Sequence, residues 1–295
     1  MRHNLPPVPA FLDSPGLDAM QEIALRVVVE LPEWELHVIG TATLIGTYLA
    51  VTAKHVLDEI NRRFGGMKRV SAGIEVSGYS IRLYQVLPGS VYRSWNVSKA
   101  WICASDIAIL HLGLDRTSET EPKLEWRSPL IRVLPPPSGQ KVLAFGYRES
   151  QIEVTKDAKG THHIELKDVG TTSIGEVGQI FPERRDSSML TFPCFEVIAR
   201  FAPGMSGGLV IDENGALCGL VCAGLQQNDP SALPISYAAT LWPILTTEIS
   251  ADRGDSYPRG VKYPVIDLVI DKFLTAVGLE GLDPKLFPGR VLPRS

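Results

Sequence analysis

Short apolar and β-branched runs, each closed by glycine, proline or polar clusters, constrain this chain more than any other feature. They fall at residues 24–31, 34–44, 48–52, 73–76, 81–86 and 106–112. Strands this short and this closely spaced favour an all-β barrel or sandwich over alternating βαβ units. Pro135-Pro136-Pro137-Ser138-Gly139 breaks the pattern and reads as a linker. A second set follows at 141–147, 163–169, 171–178, 194–200, 208–211 and 217–222, with Asp212-Glu213-Asn214-Gly215 as a hairpin turn between the last two. Residues 237–249 read as a helix despite Pro243, and 265–279 have helical periodicity. A length of 295 residues allows one large or two modest domains. No internal repeat is evident in the sequence itself.

Composition narrows the function classes. The chain is 44% hydrophobic and 21% charged, ordinary for a globular protein with a sizeable core. A net charge of -4 gives no electrostatic reason to expect nucleic acid. No run of 18 apolar residues suggests a membrane span, and prolines and Asp13 interrupt the start before a signal-peptide core could form. A cytoplasmic location is therefore expected, with no membrane partner. The cysteines are Cys103, Cys194, Cys218 and Cys222. Cys218 and Cys222 share one predicted strand and would lie roughly 13 Å apart, too far for a disulfide or a shared metal. Cys103 and Cys194 stay open as a pair, although free buried thiols are the expectation without a secretory signal.

The chemistry concentrates in Gly204-Met205-Ser206-Gly207-Gly208. Glycines let a backbone take angles that other residues avoid. A serine hydroxyl becomes a nucleophile when a base removes its proton and N–H groups stabilise the oxyanion. The bland alternative is a glycine-rich hairpin with an incidental serine. The motif also fits the Gly-x-Ser-x-Gly elbow, whose fold places its histidine after the serine. Here His3, His37, His55, His111, His162 and His163 all precede Ser206, so the elbow lacks a base.

His55 is the candidate base. It ends a β-rich run and precedes a short helical turn at 56–60, a strand-to-helix junction facing a cleft. A satisfied core histidine is its competing reading, and the other histidines read as structural, solvated or terminal. Asp106, at the head of the run to Leu112, is the candidate orienting acid. A partly buried carboxylate needs a partner, and a histidine N–H suits it. A strand-capping aspartate is the alternative, and Asp58 and Asp115 are rivals.

Three segments together resemble the trypsin-like (chymotrypsin-fold) serine peptidases, nearer to bacterial cytoplasmic and HtrA-type domains than to secreted digestive enzymes. They are Thr52-Ala53-Lys54-His55-Val56, Asp106-Ile107-Ala108-Ile109-Leu110 and Pro203-Gly204-Met205-Ser206-Gly207-Gly208, in the family's order. The resemblance covers about residues 22–250. It implies a double six-stranded Greek-key β-barrel, chymotrypsin-like, with a C-terminal helix and an extra tail. The implied divisions are an N-terminal extension at 1–21, a first barrel at 22–134 holding His55 and Asp106, a second at 135–250 holding Ser206 and the closing helix, and an extension at 251–295.

The resemblance further implies a serine endopeptidase with a His55, Asp106 and Ser206 triad and an acyl-enzyme intermediate. Gly204 and Ser206 N–H groups would form the oxyanion hole. Residues 199–202 and Cys222, Ala223 and Gly224 would wall the specificity pocket, with Arg200 and Phe201 among its lining. If Arg200 points inward, an acidic residue before the scissile bond is favoured; if outward, it is solvated. No cofactor or metal is implied. The partner is a peptide or protein substrate, and restraint of the protease is expected either from narrow substrate choice or from a regulatory protein partner. Met205 departs from secreted members, which carry aspartate there to pair with a new N-terminus. An inactive, peptide-binding module of the same fold is the alternative function.

Overall fold

A computed structural model describes residues 12–13, 18–70, 73–87, 91–117, 128–160, 162–224, 233–250 and 260–293. Six strands form the first barrel: Ala24–Glu30 (β1), Leu36–Gly46 (β2), Leu49–Ala53 (β3), Ser80–Leu87 (β4), Val91–Ile102 (β5) and Ile107–Thr117 (β6). Around the ring β1 pairs with β2, β2 with β3, β3 with β6, β6 with β5, β5 with β4, and β4 closes on β1. The second barrel uses Lys141–Lys156 (β7), His162–Phe181 (β8), Cys194–Val197 (β9), Leu209–Asp212 (β10), Leu217–Gly224 (β11) and Ser236–Ala239 (β12). Its ring runs β7, β8, β9, β12, β11, β10 and back to β7. Both rings thus follow one order of their own strands: first, second, third, sixth, fifth, fourth. The expected double Greek-key barrel is present, and its internal repetition lies in topology.

Alternation explains the first barrel's core. Leu25, Val27 and Val29 of β1 point inward with Leu83, Trp95, Leu110 and Leu112. The opposite face of β1 presents Arg26, Val28 and Glu30, and it too is largely covered. The cover is the outer half of the β7–β8 hairpin, an arm in which residues 151–156 pair with 162–167. Ile152 and Val154 of the arm pack on Val28, Leu36 and Tyr84, and His162 stacks on Trp34 with ring centroids 4.6 Å apart.

Several elements differ from expectation. Residues 163–169 and 171–178 are halves of one 20-residue strand, β8, because Gly170 pairs within the ladder rather than turning. Strand β5 escapes a hydrophobic reading because Arg93, Ser94 and Asn96 interrupt it, yet Arg93 and Ser94 are buried. Residues 237–249 are not one helix. Ser236–Ala239 is a strand buried at every position between β9 and β11, so it lacks the alternation that marks a half-exposed strand. A single turn, Trp242–Leu245, follows, and Glu248–Ser250 then pairs with Lys262–Pro264. Over 265–279 only Ile266–Ile270 is α-helical.

The tail is part of the core. Val265, Ile266, Leu268, Leu274 and Phe287 join Ile45, Trp101, Phe145 and Leu209 in one cluster that spans both barrels. Ala276–Val277 runs parallel to Ile131–Arg132, which joins the second sheet ahead of the proline run. All four cysteines are free and buried. Among the described residues, no helix is long and apolar enough to cross a membrane.

Candidate active site

Strand register brings His55 and Asp106 together. In the antiparallel β3–β6 pair, Ala53 sits opposite Ile107. The residues just beyond the end of β3 therefore meet the residue just before β6. Lys54 N–H donates to the Asp106 carbonyl at 3.1 Å. An 11-residue helix, Lys54–Phe64 (α1), starts here, longer than the expected turn. Its first turn has orphan N–H groups and no side-chain cap of its own. Asp106 supplies one from outside: the His55 N–H donates to its Oδ1 at 3.0 Å. Its other oxygen, Oδ2, lies 2.7 Å from His55 Nδ1. One carboxylate thus caps the helix and binds the imidazole. Its side chain is 11% exposed, while that of His55 is 42% exposed and open to a ligand. A helix N-terminus stabilises a negative charge placed there.

Ser206 arrives from the other barrel on a tightly fixed turn. Gly204 has φ +93 and Gly207 φ +81, angles that favour glycine. A Cβ on Gly204 would lie 2.6 Å from the Tyr147 carbonyl oxygen, and one on Gly207 would lie 2.1 Å from the Thr41 carbonyl oxygen. The same atom on Gly207 would lie 2.9 Å from the Ala53 nitrogen, so the turn abuts the end of β3. Three threonines complete the junction. Thr41 N–H donates to the Ser206 carbonyl at 2.9 Å and Thr41 Oγ1 to the Gly204 carbonyl at 3.0 Å. Thr43 Oγ1 donates to the Gly207 carbonyl at 3.1 Å, and Thr52 Oγ1 to the Thr41 carbonyl at 2.7 Å. Among the described residues, nothing accepts a hydrogen bond from the Gly204 or Ser206 N–H.

Met205 is fully buried, and its sulfur accepts the Ala202 N–H at 3.2 Å. The turn is therefore braced by packing at the position where secreted enzymes use an aspartate. The two expected pocket walls face each other closely: a Cβ on Gly224 would lie 2.9 Å from the Phe201 carbonyl oxygen. Ser236 Oγ accepts the Phe201 N–H at 2.9 Å and donates to the Ala199 carbonyl at 2.8 Å. Phe201 and Cys222 are buried, Ala223 is half-buried, and Arg200 and Gly224 are exposed. Burial and the nearby Asp106 charge push the Cys222 thiol well above its usual range, and its Sγ donates to the Tyr237 carbonyl at 3.1 Å.

The rivals are engaged elsewhere. Asp58 pairs with Lys54 and Asp115 with Arg82 and Arg116. His37 pairs with Glu35, His163 with Asp157, and His111 with Ser98. His3 lies outside the described residues. Sequence reading missed Thr41, Thr43 and Thr52; buried threonines on paired strands look like ordinary β-formers until their acceptors are seen.

Two closed six-stranded barrels with a histidine–carboxylate pair on one and a glycine-framed serine on the other define the trypsin-like peptidase class. The family model for the trypsin-like peptidase domain matches residues 40–220, and the chain belongs to that family. The fold and family support a protease function, with peptides or proteins as substrates. Among solved structures, the chain is similar to the Rv3671c protease from M. tuberculosis in its active form, at 15% identity and TM-score 0.45, over 80% of this chain and 88% of that one. It is also similar to the HtrA-type protease AlgW with a tripeptide, at 17% identity and TM-score 0.45, over 75% of this chain and 56% of that one. The MamO protease domain from Magnetospirillum magneticum resembles it at 15% identity and TM-score 0.42, over 75% and 93%. No curated protein matches it.

Proposed function

We propose that this chain is a serine endopeptidase in which residues 22–134 contribute His55 and Asp106 and residues 135–250 contribute Ser206. The observation that carries the reading is the Asp106 carboxylate on His55 Nδ1 at 2.7 Å, beside a turn two of whose N–H groups have no acceptor among the described residues. Asp106 fixes the tautomer in which Nε2 is free to accept a proton. Ser206 Oγ attacks the peptide carbonyl as His55 takes its proton. The oxyanion receives hydrogen bonds from the Gly204 and Ser206 N–H groups. His55 then protonates the leaving amine, and water hydrolyses the acyl-enzyme by the same steps reversed.

Met205, buried and bonded through sulfur, supports a turn set without cleavage of the chain. The close approach of Gly224 to Phe201 supports a narrow pocket that takes small side chains before the scissile bond. Exposure of Arg200 supports its solvated reading, so Arg200→Ala should leave the cleavage preference unchanged in a peptide-library digest. A narrow pocket agrees with narrow substrate choice; broad casein digestion by the purified chain would count against it. Fluorophosphonate labelling tests the central claim. The wild type should be labelled and Ser206→Ala should not. An unlabelled wild type would instead favour a peptide-binding module.

A further inference from the structure

We infer that Thr41 is a positioning residue, whose hydroxyl on the first barrel holds the Ser206 turn of the second barrel in its reactive shape. The inference rests on the serine-peptidase reading above. Thr41 is fully buried on β2 and is bonded through every polar atom it has. Its Oγ1 donates to the Gly204 carbonyl at 3.0 Å and accepts the Tyr147 N–H of β7 at 3.2 Å. Its N–H donates to the Ser206 carbonyl at 2.9 Å. Its own carbonyl accepts from Thr52 Oγ1 at 2.7 Å, three residues before His55.

The pattern of these bonds is selective. The peptide plane after Gly204 is held at both ends, by Thr41 Oγ1 on its carbonyl and by the Ala202 carbonyl on the Met205 N–H at 3.1 Å. The plane after Ser206 is held likewise, by Thr41 N–H on its carbonyl and by the Val221 carbonyl on the Gly207 N–H at 2.8 Å. The two planes between and before them carry the Ser206 and Gly204 N–H groups, which donate to nothing described. The plane carrying the Ser206 N–H is held only at its carbonyl, where Met205 accepts the Gly208 N–H at 2.8 Å, so the turn is fixed while both N–H groups that must face an oxyanion are left to donate. Core packing alone does not call for this hydroxyl, since valine fills the same space with no polar group to satisfy. Thr41 touches no reacting atom. It acts through Gly204.

The test compares wild type, Thr41→Val and Thr41→Ser, each checked for folding by its thermal transition. The readouts are p-nitrophenyl acetate turnover and the rate of Ser206 labelling by a fluorophosphonate. Misplacing a preorganised group costs about 10- to 100-fold in rate, so Thr41→Val should lose about that much in kcat while KM stays within about twofold. Thr41→Ser should restore kcat, and the pH midpoint of the acid limb should not move, because the His55–Asp106 pair is untouched. If Thr41→Val does not fold, Thr41→Ser against Thr41→Ala makes the same comparison with no added bulk. A folded Thr41→Val with kcat near wild type overturns the inference, as does a loss that Thr41→Ser fails to restore. An unlabelled wild type overturns the serine-peptidase reading, and Thr41's role falls with it; a labelled wild type with an equally reactive valine variant overturns Thr41's role alone.

Discussion

At the scale of single residues, the site depends on atoms that are absent as much as on those present. Gly204 has no Cβ where one would collide with Tyr147 at 2.6 Å, and its φ of +93 suits no branched side chain. Gly204→Val should therefore turn the oxyanion N–H away and lower kcat by about 10²–10³-fold, the cost of losing one such donor. Ester turnover measures it. Asp106→Asn tests the other half. An amide in that place binds the imidazole in the wrong tautomer, and kcat should fall about 10⁴-fold with little change in KM. The same change removes a charged acceptor from the N-terminus of α1, so a lower melting temperature should accompany it. Activity lost without any effect on stability would argue that the carboxylate does not cap the helix.

At the scale of elements, sequence reading went furthest where a strand ends in chemistry. The run into His55, the run out of Asp106 and the turn at Ser206 are each continuous in sequence, and their polar residues stand out against apolar neighbours. Strands at 24–30, 49–53 and 209–212 matched closely although they are buried on both faces, because turn residues mark their ends. Ser236–Ala239 was illegible because, buried at every position, it has no polar face to set a period of two, and the apolar sequence runs on past its end into the Trp242–Leu245 turn. Arg93 and Ser94 misled because they are polar yet buried; Ser94 stands opposite Tyr84, on which the arm packs residues more than fifty positions later in the chain. The threonine bonds at 41 and 43 cross between barrels, and no local pattern encodes such a partner. The arm itself is open to test. Trp34 lies between His162 and the Arg116 guanidinium, which sits 4.5 Å from its ring centroid. Trp34→Ala should free the arm tip, seen as faster limited proteolysis near residues 157–160 with the barrels intact.

At the scale of the whole molecule, the tail and the thiols report on the seam between barrels. Leu274 packs so closely on Gly46 that a Cβ there would meet it at 2.4 Å. Leu274→Ala should cost about 2–5 kcal/mol in chemical denaturation, the usual range for a buried leucine. Burial pushes the Cys103 thiol up to about 12 and Cys194 to about 11, and raises Cys218 and Cys222 as well. An unfolded thiol loses its proton near pH 8.5, roughly. Above that pH the unfolded chain binds fewer protons than the folded one, so stability falls as pH rises, by about 1.4 kcal/mol per unit for each fully shifted thiol. The stabilising effect is complete below that pH and is gone once the folded thiols titrate. Melting curves between pH 8 and pH 11 should slope down, and more gently in a Cys103→Ala variant.

Both barrels close on themselves, so their strands offer no free edge to another chain. The arm is the longest exception among the described residues. Beyond residue 146, β7 pairs with β8 alone, and the near end of β8 pairs only with β7. Glu149, Glu153 and Lys156 stand along this stretch of β7, with Glu165 and Lys167 opposite. Those charges keep stray strands off a ladder that closure cannot protect. Replacing them with threonine would leave each barrel as it is and turn this edge into a seed for sheet growth.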